Sequence, residues 1–231
     1  MTAAELRQAR KTKGWTQQEA ASHLGLSQTY LSLLEQGKRQ VPRSRVRQLL
    51  TVYDSLSPCA LPMRGQKAWA GMGDHKVAQQ LAGLGYPGFA HMQGRATWNP
   101  AELLVAALTK DDLESRTAEA LPWLVLAYSN MDWDWVIKQT KMNDLQNRLG
   151  FVVTLARSLA GRMNNTAVAK RLGEVEKDLH GSVLLRELTF CHEHMPQAER
   201  RWLKHHSTPE ARQWNVLSDL SPEHLSHAIE R

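Results

Sequence analysis

The stretch TQQEAASHLGLSQTYLSLLEQGKRQ, Thr16–Gln40, decides how the chain is read. Thr16-Gln17-Gln18-Glu19 has the S/T-x-x-E form in which a hydroxyl and a carboxylate each satisfy a backbone N–H at a helix start. Ala20, Ala21 and Leu24 follow at helical spacing, and Gly25 can take the left-handed conformation that closes a helix at little cost. Ser27 caps a second short helix, with Leu31 and Leu34 facing inward and Gly37 stopping the run. The stretch predicts two short helices locked across a tight turn, followed by a basic cluster.

The flanks extend the pattern. Residues 4–14 read as a preceding helix ended by Gly14. Pro42 stands where a fourth helix can begin, with Val46, Leu49, Leu50 and Tyr53 as its buried face. Four or five short helices in residues 1–56 make a compact bundle. Those residues hold nine Lys/Arg against four acids, so nearly all of the formal net charge of +6 lies in the first quarter of the chain. Such asymmetry points to a polyanion-binding module attached to a neutral body. A merely solubilised or protein-docking bundle is the alternative.

Residues 4–56 resemble the Cro/repressor (Xre-type) helix-turn-helix family. The resemblance rests on Leu6-x-x-Ala9-Arg10, Gly14-x-Thr16-Gln17-x-Glu19-x-Ala21, Leu24-Gly25-Leu26-Ser27, the spacing to Glu35-x-Gly37-Lys38-Arg39, and Pro42. Gln40-Val41-Pro42-Arg43-Ser44-Arg45 is more basic than the family's usual approach to the last helix. The resemblance implies a lambda-repressor-like domain whose second motif helix enters the major groove. It would place Gln28, Thr29, Ser32 and Leu33 at base edges. A glutamine can pair bidentately with adenine, discriminating by ~1–3 kcal/mol, and Leu33 can meet a thymine methyl. It would place Arg10, Gln17, Tyr30, Gln36, Lys38, Arg39 and Arg43 on the sugar-phosphate backbone. It implies a homodimer on an inverted-repeat, double-stranded DNA operator, with the larger C-terminal part dimerising.

The 231 residues are 42% hydrophobic, enough for a real core, and include only two cysteines, Cys59 and Cys191. No disulfide framework is implied, and a reducing compartment fits. No apolar run approaches the ~18 residues of a membrane span, and MTAAELRQARKTKGW lacks the apolar segment of a signal peptide. The expectation is a cytoplasmic protein without a membrane partner.

Gly and Pro punctuate residues 57–98, which read as a connector with one short helix near Asp74–Ala82. Residues 99–231 read as helical throughout. Asn99-Pro100-Ala101-Glu102 opens the domain, a helix around Leu113–Ala120 reaches Pro122, and LPWLVLAY follows. Further segments are expected at approximately 132–142, 144–162, 166–180, 182–195, 197–206, 209–219 and 222–230. No run alternates with period two, so no sheet is predicted. The fold class is all-α.

In Leu121–Arg162, the residues Trp133, Asp134, Trp135, Gln146, Asn147 and Arg148 are candidates for a pocket or a partner interface, against plain core packing. This part resembles the helical extensions of Xre-type regulators encoded beside toxin genes, which implies an antitoxin with a cognate toxin as partner. A repressor whose helical domain senses a small molecule is the alternative.

Enzymatic chemistry is thinly represented, and the chain does not read as an enzyme. Cys191-His192-Glu193-His194 could put Cys191 and His194 on one helix face, but no second ligand set supports a metal. Gly83-x-Gly85-x-x-Gly88 follows a helical run and contains Pro87, so it lacks the setting of a nucleotide loop. No cofactor is implied.

Overall fold

The computed structural model describes all residues except Ala70, Gln93, Arg95 and Ser226–Arg231. The architecture is all-α, with twelve α-helices among the described residues. The chain divides into two compact units: residues 1–63 with 97–99, and residues 64–96 with 100–231. The stretch expected to be a connector is therefore shared between them. Its larger part, including α5 (Asp74–Gly83), packs into the second unit through buried Trp69, Met72, Val77, Leu81, Tyr86 and Phe89.

The first unit holds α1 (Ala3–Thr12), α2 (Gln17–Leu24), α3 (Gln28–Glu35) and α4 (Arg43–Val52). Local chemistry sets each boundary. Thr16 Oγ1 accepts from the Glu19 N–H at 3.2 Å, and a Glu19 carboxylate oxygen accepts from the Thr16 N–H at 2.7 Å. Gly25 closes α2 at φ +58°, a conformation in which a Cβ would be strained. Ser27 Oγ accepts from the Tyr30 N–H at the start of α3. One face of each helix feeds a shared core of Leu6, Ala9, Ala20, Ala21, Leu24, Leu31, Leu34, Leu49, Tyr53 and Leu56. Truncating a residue such as Leu31, fully buried, would cost ~2–5 kcal/mol.

The second unit contains α5, α6 (Pro100–Leu108), α7 (Ser115–Ala127), α8 (Trp133–Met142), α9 (Gln146–Arg162), α10 (Thr166–His180), α11 (Gln197–His206) and α12 (Pro209–Gln213). Helix α9 is its axis, with thirteen buried residues from Gln146 to Ala160. It packs against α7 and α10. At Gly150 a Cβ would lie 2.3 Å from the Trp214 ring, so glycine lets that indole lie directly on the helix. The fully buried Trp214 donates to Thr154 Oγ1 at 2.8 Å, and Thr154 and Gln213 both donate to Glu176 Oε1. Arg157 Nε reaches Glu176 Oε2 at 2.9 Å, neutralising the buried carboxylate.

Several expectations about the helices need correction. Helix α7 runs unbroken through Pro122. Proline forfeits one ladder bond, and burial of Leu121, Trp123, Leu124 and Val125 around it offsets that loss. Helix α9 begins at Gln146 rather than near Asp144, whose φ of +55° lies outside the helical region. Residues 182–195 form no helix. They contain β1 (Leu188–Thr189), which pairs in parallel with β2 (Val216–Leu217) where 209–219 was expected to stay helical. Two-residue strands are too short to show a period in sequence. Residues 222–224 form a 3₁₀ turn, and the rest of the helix expected over 222–230 lies outside the described residues, apart from Leu225.

Candidate nucleic-acid interface

The outward face of α3 follows from what its inward face buries. Leu31, Leu34 and Glu35 are buried, so the helical period turns Gln28 and Thr29 to solvent and leaves Ser32 and Leu33 half-buried. Beyond the helix the chain is basic and exposed at Lys38, Arg39, Arg43, Arg45 and Arg47. Arg39 lies over the Tyr30 ring, 5.8 Å from its centre. Gln36 donates to Ser32 Oγ at 2.9 Å, so these two polar side chains present themselves as a joined pair. Arg45 donates to Gln48 Oε1, and Gln48 donates to the Leu24 carbonyl at the end of α2, tying α4 to the turn.

Arg10 departs from its expected place on the sugar-phosphate backbone. Its guanidinium makes two bonds to Glu35, at 2.7 and 3.0 Å, and a third to the Trp15 carbonyl at 2.7 Å. All of this happens in the interior: the Arg10 side chain is 12% exposed and that of Glu35 is 1% exposed. An arginine so committed has little left for a phosphate. Gln17 is also partly committed, because its amide donates to Glu35 Oε2 at 3.0 Å. Its position in the first turn of α2, where backbone N–H groups face outward, is as expected.

The electrostatics follow this geometry. Burial pushes the Glu35 carboxyl up, but hydrogen bonds from Arg10 and Gln17, with the charges of Arg10 and Arg7, leave it below the usual range. The bond to Glu35 raises Arg10 further. Tyr53, whose hydroxyl is buried, is pushed up to about 12 by burial and by the charge of Glu35. The Arg10–Gln17–Glu35 cluster was not foreseen from sequence. Its members lie as many as 25 residues apart, and only the buried glutamate on an otherwise apolar face of α3 hints at it.

The second unit corrects the other candidate set. Gln146, Asn147 and Arg148 are buried at the start of α9, where they hold the irregular chain beside them. Gln146 donates to the Ser182 carbonyl, Asn147 both donates to Leu184 O and accepts from Leu184 N, and Arg148 donates to the carbonyls of Thr189, Leu108 and Lys110. Non-helical backbone inside a helical unit has carbonyls without ladder partners, and these side chains supply the donors. Trp133 and Trp135 are half-buried on α8: Trp133 donates to the Ser129 carbonyl, and Trp135 meets Trp69 edge-on at 5.9 Å. Asp134 is exposed. The six residues do not converge on one site.

Cys191 and His194 share no helix face, since their segment is not helical. Cys191 is buried at φ +54°, with its thiol pushed up to about 12 by burial, while His194 bonds to Asp112. Among the described residues no group of three or more His, Cys, Asp or Glu side chains is placed to hold a metal ion, and no helix is long and apolar enough to cross a membrane.

With this geometry in place, comparison with known families is direct. Residues 3–59 match the helix-turn-helix domain family. No curated protein and no solved structure matches the chain. The first unit is thus a helix-turn-helix domain, the kind of module through which DNA-binding regulators hold the duplex.

Proposed function

We propose that the protein is a sequence-specific transcriptional repressor of the Xre type, acting in the cytoplasm as a homodimer on an inverted-repeat operator. The observation that carries this reading is the solvent-facing start of α3, Gln28 and Thr29, on a domain whose next exposed stretch is Lys38-Arg39 to Arg47. Base readers and phosphate holders then come from consecutive elements, as groove recognition requires. Gln28, Thr29, Ser32 and Leu33 read bases. Gln17, Tyr30, Gln36, Lys38, Arg39 and Arg43 hold the backbone, and Arg10 orients Gln17 through Glu35.

Selection of the operator from random duplexes, followed by titration of variants at several salt concentrations, tests the assignment. Gln28→Ala is expected to lose ~1–3 kcal/mol of discrimination at one base pair. Lys38→Ala is expected to weaken binding to all sequences and to flatten the salt slope by about one. Equal effects of both changes on operator and random DNA would refute the roles. A strict monomer in light scattering, with and without operator, would refute the dimer.

The same reading makes the protein an antitoxin that represses its own operon. Its support is the resemblance of Leu121–Arg162, around DWDWVIKQTKMNDLQNRLGF, to extensions of regulators encoded beside toxins. Co-expression with the product of the neighbouring gene tests it. Absence of a complex together with undiminished toxicity would leave repression without antitoxin activity.

A further inference from the structure

The second unit carries a groove of about 440 Å³ between the start of α7, residues 190–195, α11 and the chain after β2. Its floor is apolar: Phe190, Met195, Leu203, Leu217 and Leu220. Met195, Leu203 and Leu217 pack on one another as a small buried cluster. One wall is Trp202, a large aromatic residue left 48% exposed. Its ring is already fixed, stacked on His206 at 4.3 Å between centres and 7° between planes.

Carboxylates dominate the charged groups of the rim. Glu114, Glu119, Glu199 and Asp219 border the groove together with His192 and His224, and among the described residues no lysine or arginine lines it. Glu199 faces His192 at 3.5 Å. Glu114, Glu119 and Asp219 enter no ion pair among the described residues. This occurs on a chain of net charge +6, where cations for such carboxylates are in excess elsewhere.

We propose that this groove is a docking site for a basic segment of a partner protein, one that inserts a bulky apolar side chain against Trp202 and places lysines or arginines at the rim. The charge pattern selects the occupant. An apolar floor takes an anchor, and a rim dominated by carboxylates favours a cationic flank while repelling an acidic one. The aromatic wall is the residue type that dominates binding energy at protein interfaces, and its stacking on His206 lowers the entropy lost on docking. A free small cation would instead need enclosure on most of its surface, whereas the groove stands open beside a half-exposed tryptophan. The proposal does not rest on DNA recognition by the first unit, nor on the partner being a toxin.

A phage-displayed library of random peptides about twelve residues long, panned on the full chain, is the test. Enriched peptides are expected to pair a large apolar residue with Lys or Arg. One of them, labelled and titrated by fluorescence anisotropy, is expected to bind about ten-fold more weakly to Trp202→Ala and to the triple variant Glu114→Gln/Glu119→Gln/Asp219→Asn. Both variants change exposed or half-exposed side chains, and circular dichroism with operator binding confirms that each unit is intact. Enrichment of acidic peptides, or affinity that neither variant changes, overturns the proposal. So does the outcome in which no groove-dependent peptide emerges while spermine alone gives saturable calorimetric heat that the triple variant abolishes, which would mark a small-cation pocket. Operator binding that fails while the peptide result holds would sink the regulator reading and leave the groove standing.

Discussion

Both units cap helices locally, the second through Asp132, Asn165 and Thr208, but they differ in how much irregular backbone must be satisfied from a distance. In the first, partners come from within a few residues: Thr2 with Glu5, Thr16 with Glu19, Ser27 with Tyr30. In the second, the non-helical stretch between α10 and α11 is held by Gln146, Asn147 and Arg148, about 40 residues away in sequence. Local satisfaction leaves the outer surface of a helix free for recognition. Distant satisfaction commits polar side chains to the interior and leaves function to grooves. The first unit also draws on distant partners: Gln48 donates to the Leu24 carbonyl, Asn99 donates to the carbonyls of Cys59 and Leu61, and Arg10 pairs with Glu35 in the interior.

The comparison breaks most visibly at Arg148. Arg148→Ala leaves three carbonyls without their donor and is expected to destabilise the second unit by about 4–5 kcal/mol, because several charged hydrogen bonds disappear together. Urea unfolding with residue-resolved hydrogen exchange would place the loss; a change under 1 kcal/mol would mean that water replaces the guanidinium freely.

Glu35→Gln tests the distant ion pair of the first unit. Removing the buried charge strands Arg10 and is expected to cost about 3 kcal/mol, confined to the first unit. The sign of the pH dependence follows. The carboxyl lies below its ordinary value in the fold, so its stabilisation is fully present above about pH 4.3 and is lost as pH falls through the folded value. An acid melt should show the first unit losing stability in that range in the native chain and much less in the variant.

Gly150→Ala probes packing instead of polarity. The added methyl meets the Trp214 ring, and the expected loss is about 2–3 kcal/mol, read as a lower thermal midpoint with altered tryptophan fluorescence. Thr16→Ala is the mildest change, about 1 kcal/mol from a lost cap, and would sharpen the contrast if hydrogen exchange shows it fraying only α2.

Legibility followed the same division. The four helices of the first unit, the caps of α2 and α3 and the outward face of α3 could be read because each signal lay within one or two turns of its effect, while the Thr2–Glu5 cap of α1 was missed. Arg10 could not be read, since nothing near it in the chain indicates that Glu35 waits 25 residues on. In the second unit the apolar stripe of α9 was visible, but the purpose of Gln146-Asn147-Arg148 was not, because their carbonyl partners belong to a stretch that itself looked helical. The groove around Trp202 was missed for the same reason: its floor and rim come from four separate segments, none of which carries a motif.

By itself, the sequence determined where helices start and stop in the first 56 residues, the concentration of positive charge there, and the helical class of the whole. Those properties depend on neighbours in the chain, through capping, periodicity and composition. Only the tertiary structure decided that Arg10 is an interior strut, that residues 182–195 abandon the helix for a short ladder with β2, and that carboxylates gather round an apolar hollow. The first two depend on which distant groups share a desolvated space, where an unmet donor or charge costs more than any local propensity can offset, and the third on which separate segments the fold brings side by side.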